Sequence, residues 1–189
     1  MQADDLSPSR IEKAKEYLLG FTRSFEKIPV GYIIFSGKAF LLSPLSSDIE
    51  GIRELIRKTD TESIDQTKKD ASGTNIWDAI LLALETLRGK KGEKHIVLMT
   101  DGRANVGIDP RIVAEEARKQ GIQIDTIAIW SASGSSLSYI DEVGKRQFFY
   151  DGSGNTLSAD IDKPLLEELS RKTGGTYFSW EKWILIKDA

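Results

Sequence analysis

A carboxylate stands where an apolar run ends. In HIVLMTDGRANVG, His95 to Gly107, a β-prone segment leads straight into Asp101, a glycine and a polar loop. Asp-Gly by itself makes a turn. At the carboxyl end of a parallel strand, the same aspartate would occupy the place where open α/β sheets keep their ligand sites. A second loop, Ser72-Gly73-Thr74-Asn75, ends a polar stretch, opens a helical segment and offers a hydroxyl. A hydroxyl and a carboxylate from separate loops are hard oxygen donors, the kind Mg²⁺ accepts in an octahedral shell with water. The plainer alternative makes Thr74 a helix N-cap and Asp101 a turn residue.

Composition removes several other chemistries. The chain has 189 residues, 40% hydrophobic and 29% charged, enough for one globular domain over 1–189 with a substantial core. Its net charge is −3, and basic residues form no run, which argues against an electrostatic nucleic-acid binder. It contains no cysteine, so disulfides, thiolate zinc sites and a cysteine nucleophile are excluded. No apolar run reaches the ~18 residues of a membrane span. The single histidine, His95, sits beside Lys94 before the apolar run and reads as a solvated strand-edge residue. No G-x-S-x-G elbow accompanies it, so a Ser-His-Asp triad has no framework.

The elements that must position Thr74 and Asp101 alternate in type. SPSRIEKAKEYLLGFTRSF reads as a helix, with Ser7 as N-cap, Pro8 in the first turn, and Ile11, Ala14, Leu18, Phe21 and Phe25 at helical spacing. VGYIIFSG is a short strand, and AFLLSPL its hairpin partner across Ser36-Gly37-Lys38. Asp48 to Lys58 and Ile76 to Leu87 are helices, HIVLMT a strand, and Pro110 to Gln120 a helix followed by Gly121. IQIDTIAIW is a strand, FFYDGSGNTL a hairpin, PLLEELSRKTGG a helix stopped by Gly174-Gly175, and TYF a last short strand. Strands alternating with helices of this length predict an α/β fold, a mainly parallel sheet covered on both faces. Asp4 and Asp5 read as solvated first-turn acids, Trp77 and Trp130 as core or interface aromatics, and Asp151 to Asn155 as a hairpin turn.

In order and spacing, MQADDLSPSRIEKAK, VGYIIFSGKAFLLSPLSSD, SGTNIWDAI, LMTDGRANVG, IDTIAIW and LSRKTGGTYF resemble a von Willebrand factor A (vWA) domain, and within that family the bacterial Bat (aerotolerance-type) proteins. The resemblance runs from Met1 to about Phe178. It implies a Rossmann-like three-layer fold and a metal-ion-dependent adhesion site. That site is built from a D-x-S-x-S loop after the first strand, the threonine of a G-T-[ND] loop and the aspartate of T-D-G. Thr74 and Asp101 match the second and third elements.

The first element has no match. In the family D-x-S-x-S-M leads into a segment like QADDLSPSR, and the sequence opens at that methionine. The expectation is a start at an internal methionine, or otherwise a degenerate homologue. The missing strand would lie mid-sheet, between VGYIIFSG and HIVLMT, leaving two strand edges whose unpaired backbone groups cost ~1–3 kcal/mol each. Trp183-Ile184-Leu185-Ile186 cannot fill the gap from TYF. The four residues Ser179 to Lys182 span ~14 Å when extended, against ~30 Å needed to recross the sheet. That run is expected to pair antiparallel with TYF or to serve a second molecule as a dimer strand.

The resemblance implies a non-enzymatic protein-interaction module. Its cation, Mg²⁺ or Mn²⁺, keeps an open position that an acidic group of the partner completes. Binding is expected to be weak here, in the millimolar range, because the D-x-S-x-S ligands are missing. Bat-like proteins are membrane-anchored at the cell envelope and their genes accompany MoxR-type AAA ATPases, so such a system is the implied partner. Two alternatives stand beside this reading. One is a metal-dependent hydrolase or phosphotransferase using Asp101, which lacks a recognisable general base and a phosphate-cradling glycine loop. The other is a metal-free structural remnant.

Overall fold

Two runs of β-branched and aliphatic residues, Lys94–Thr100 and Ile122–Ala128, lie side by side as parallel strands and form the middle of the molecule. The computed structural model describes residues 9–25, 28–64, 73–101, 103–129, 138–140, 145–148, 150, 152–156 and 161–179. In chain order the elements are α1 (Arg10–Phe21), a 3₁₀ turn (Thr22–Phe25), β1 (Val30–Phe35), β2 (Ala39–Ser46), α2 (Ile49–Lys58) and α3 (Ile76–Leu87). There follow β3 (Lys94–Thr100), α4 (Pro110–Lys119), β4 (Ile122–Ala128), β5 (Ser138–Ile140), β6 (Arg146–Phe148), α5 (Lys163–Thr173) and β7 (Tyr177–Ser179).

β3, β4 and β7 make a parallel sheet in that order, and β1 and β2 an antiparallel hairpin. Among the described residues no strand joins β1 to β3, the place where sequence reasoning puts the missing strand. All six residues of β1 are only half-buried, whereas β4 is buried at five of its seven positions. α3 bridges the interval by packing on β1, β2 and β3. β5 and β6, which the sequence reading did not resolve, pair antiparallel, and Tyr150 bridges Thr156 across the expected DGSGN turn.

The layers follow from the alternation of β3. Ile96 and Leu98 face the main core, where Ile76, Ile80 and Leu84 of α3, Val113, Ala114 and Ala117 of α4, and Leu165, Leu166 and Leu169 of α5 are buried. Met99 turns to the other face and meets Ala14 of α1 and Ile129. α1 packs on that second face, and α2 packs against α1 and the β1–β2 hairpin. Trp77 packs partly buried against the main core, as expected; Trp130 lies outside the described residues, as do 183–189 with the proposed dimer strand.

Capping explains most boundaries. Asp48, Asp109 and Asp162 each accept a backbone N–H of the following turn, and Pro110 and Pro164 sit in the first turns of α4 and α5. One expectation is corrected: the cap of α1 is Ser9, whose Oγ accepts from Glu12 N at 3.2 Å, not Ser7. The cap of α3 is Asn75, so the alternative that made Thr74 that cap falls away.

α5 is tied to β4 by hydroxyls as well as by leucines. Thr126 Oγ1 donates to Leu166 O at 3.0 Å and lies 2.6 Å from Ser170 Oγ. Ile124 N donates to Thr173 Oγ1 at 3.0 Å, and Thr173 Oγ1 donates to Leu169 O at 2.9 Å. Gly174, with φ +76, then ends the helix in the left-handed conformation that glycine adopts without penalty. Gly175 passes against Ile124 O so closely that a Cβ would overlap the carbonyl.

Candidate functional site

Asp101 follows β3 directly, and its loop begins at the strand's carboxyl end. Ile129 N donates to Thr100 O at 2.9 Å, which continues the β3–β4 pairing up to the start of that loop. The Asp101 side chain is 18% exposed. Against it lies Arg10, the first residue of α1, whose Nη1 donates to Asp101 O at 3.2 Å and lies 3.5 Å from Oδ2. Arg10 itself is only 1% exposed.

The loop preceding α3 meets the Asp101 loop through paired hydrogen bonds. Thr74 N donates to Asn105 Oδ1 at 2.7 Å, and Asn105 N donates back to Thr74 O at 3.2 Å. Gly73, at φ +97, permits this approach, since a Cβ there would stand 2.9 Å from Asn105 Oδ1. Asn75 then makes three bonds that join α3 to the β1–β2 turn. Its Oδ1 accepts from Asp78 N at 3.1 Å to cap α3, its Nδ2 donates to Gly37 O at 3.1 Å, and its backbone N donates to Ser36 O at 2.7 Å. Asp78 completes the clamp by accepting from Ala39 N at 2.7 Å. Three loops are thereby fastened into one surface: the β1–β2 turn, the Thr74 loop and the Asp101–Gly107 loop.

Because Asn75 is the cap of α3, the Thr74 hydroxyl is not spent on that task. Thr74 and Asp101 are both hard oxygen donors, which fits a small divalent cation with water in its remaining positions. Among the described residues there is no group of three or more His, Cys, Asp or Glu that could hold a metal. The donors therefore fit part of a shell, with one negative charge already faced by a guanidinium. Ser72, Asp4 and Asp5 lie outside the described residues. Arg10 and Asn105 were missed by sequence reasoning; neither carries a local signal, since their partners are 91 and 31 positions away. His95 is exposed as expected, its Nδ1 3.6 Å from Asp125 Oδ2.

The fold, a parallel sheet with helices packed on it, is matched by comparison with known proteins. The von Willebrand factor type A domain model matches residues 3–164, and the chain belongs to that family. An uncharacterized protein of Borreliella burgdorferi is 30% identical over 177 residues, 92% of this chain; the chain spans about half, 48%, of that relative's length. Among solved structures, an aerotolerance-related membrane protein from Bacteroides fragilis superposes with a TM-score of 0.82 at 26% identity, covering 100% of this chain and 89% of that one. BatB from Bacteroides thetaiotaomicron gives 0.78 at 24% identity, covering 100% and 90%. Proximal thread matrix protein 1 from the mussel byssus, with a zinc-occupied metal-ion-dependent adhesion site, shares the fold at a TM-score of 0.65 and 17% identity, covering 94% and 38%. Among the described residues no helix is long and apolar enough to cross a membrane.

Proposed function

We propose that the chain is a non-enzymatic protein-interaction module in which Thr74 and Asp101 hold Mg²⁺ or Mn²⁺, and the cation accepts an acidic side chain of a protein partner. The observation that carries this reading is the reciprocal Thr74–Asn105 hydrogen bonding, which sets the hydroxyl loop against the carboxylate loop at the sheet's carboxyl edge. Exposed aliphatic residues beside the site, Val106, Ile108 and Ile112, add apolar surface of the kind a partner covers. The zinc-occupied adhesion site of the thread matrix protein supports a cation in a domain of this fold. Likeness to an aerotolerance-related membrane protein supports a setting at the cell envelope; the partner proposed there, a MoxR-type AAA ATPase system, rests on the resemblance to Bat-type proteins alone.

Calorimetric titration with Mn²⁺ tests the reading. Binding in the millimolar range, lost in both Asp101→Ala and Thr74→Ala, is the expected result. Side-chain oxygens of Thr74 and Asp101 more than about 10 Å apart in an experimental structure would remove the site, because one ion and a bridging water cannot span that distance. Phosphoester or peptide turnover abolished by Asp101→Ala would replace the interaction reading with the hydrolytic one.

A further inference from the structure

Arg10 is among the largest fully buried side chains of the molecule, although arginine is almost never fully buried unless paired. It reaches from the first position of α1 to a loop 91 residues away. Its closer contact there is not the carboxylate but the main-chain carbonyl of Asp101, at 3.2 Å against 3.5 Å for Oδ2. The carbonyl anchors the guanidinium whatever the Asp101 side chain does. Arginine cannot shed its proton in a protein, so this positive charge is permanent, and burial keeps solvent ions from screening it.

We propose that Arg10 is a built-in counter-charge that holds down the affinity of the Asp101 site for divalent cations; the proposal rests on the cation reading above. An incoming Mg²⁺ or Mn²⁺ meets a carboxylate already neutralised and a fixed positive charge behind it. A simple scaffold arginine has the opposite consequence, since losing it would loosen Asp101 and weaken the cation. The sign of the effect separates the two roles.

The test is Mn²⁺ titration, followed by calorimetry and by the electron paramagnetic resonance of free Mn²⁺, on the wild-type chain, Arg10→Gln, Arg10→Lys and Asp101→Asn. Arg10→Gln removes the charge and keeps an N–H donor, and should bind Mn²⁺ roughly ten-fold more tightly, the size expected of one partly desolvated charge at this range. Arg10→Lys, which restores the charge, should return the affinity to the wild-type value. A folded Arg10→Gln with unchanged or weaker binding overturns the proposal. If Arg10→Gln does not fold, Arg10→Met, an uncharged flexible side chain suited to a buried position, takes its place: tighter Mn²⁺ binding supports the proposal, and unchanged or weaker binding overturns it. Undiminished Mn²⁺ binding by Asp101→Asn overturns the cation reading and this proposal together. Loss in Asp101→Asn without a gain in Arg10→Gln overturns this proposal alone.

Discussion

Gly107 and Asn75 offer a sharp test of how the three loops are fastened. Gly107 has φ +86, and a Cβ placed on it would overlap the Asn75 side-chain amide. Gly107→Ala should cost about 1–2 kcal/mol for the left-handed backbone and about 1–3 kcal/mol for overpacking, so about 2–5 kcal/mol together. Asn75→Ala loses the cap of α3, about 1 kcal/mol, and the hydrogen bond to Gly37 O, about 1 kcal/mol more. The two costs should not add. Without the Asn75 amide the overlap vanishes, and the double variant should lose about 3–4 kcal/mol instead of about 4–7, a coupling of about 1–3 kcal/mol. Urea unfolding of the four proteins reads this directly, and each kcal/mol corresponds to about 2–4 °C in Tm for a chain of this size. Additivity within about 0.5 kcal/mol would refute the clamp, because it would mean that Gly107 and Asn75 do not share space.

Thr126→Val should destabilise by about 1 kcal/mol in denaturant titration, since Ser170 Oγ keeps Leu166 O at 3.2 Å as a partner; a loss above about 3 kcal/mol would mean that the hydroxyl does more than bridge β4 to α5. Gly175→Ala should force the β4–β7 pairing apart and be read as faster amide exchange at Thr126 N, which now donates to Thr176 O at 3.0 Å. Glu168 is held below its ordinary value of 4.5 by the hydrogen bond from Arg111, with Lys172 adding to it. A depressed folded-state value gives stability that is complete above the unfolded value and lost as pH falls through the folded one. Thermal melts of Glu168→Gln should therefore lie below wild type at neutral pH and merge with it well below the ordinary carboxyl range.

The layered fold was legible because its signals are local. Alternation in HIVLMT and IQIDTIAIW, helical spacing in Ile76 to Leu87, and Gly174-Gly175 after α5 each act within a few residues. Capping residues were harder to read, because two local candidates compete at the starts of α1 and α3. Ser7 and Ser9 both precede α1, and only Ser9 has Glu12 three positions on, its N–H pointing back to the serine. Thr74 and Asn75 both precede α3, and the asparagine takes the cap because its amide also reaches Gly37. The carboxylate and hydroxyl of the candidate site were visible as residue types at loop positions. Arg10 and Asn105 were not, because a polar pair closed over 91 or 31 residues leaves no periodicity to read.

The hydroxyl contacts between β4 and α5 bear on what this fold can do when a partner pulls on it. Proteins that transmit a signal through a helix often let it slip by one turn, about 5.4 Å, along its neighbour. Here a slip in one direction brings Leu166 or Glu167 to the position of Ser170, neither of which has a hydroxyl for Thr126. The other direction can offer Thr173, but only by taking it from Ile124 N and dragging the left-handed Gly174 along the strand. The seam has the character of a detent rather than a bearing. Rearrangement at the Asp101 surface would then have to be carried by the loops and by α3, whose cap residue already grips the β1–β2 turn, while α5 stays in its notch.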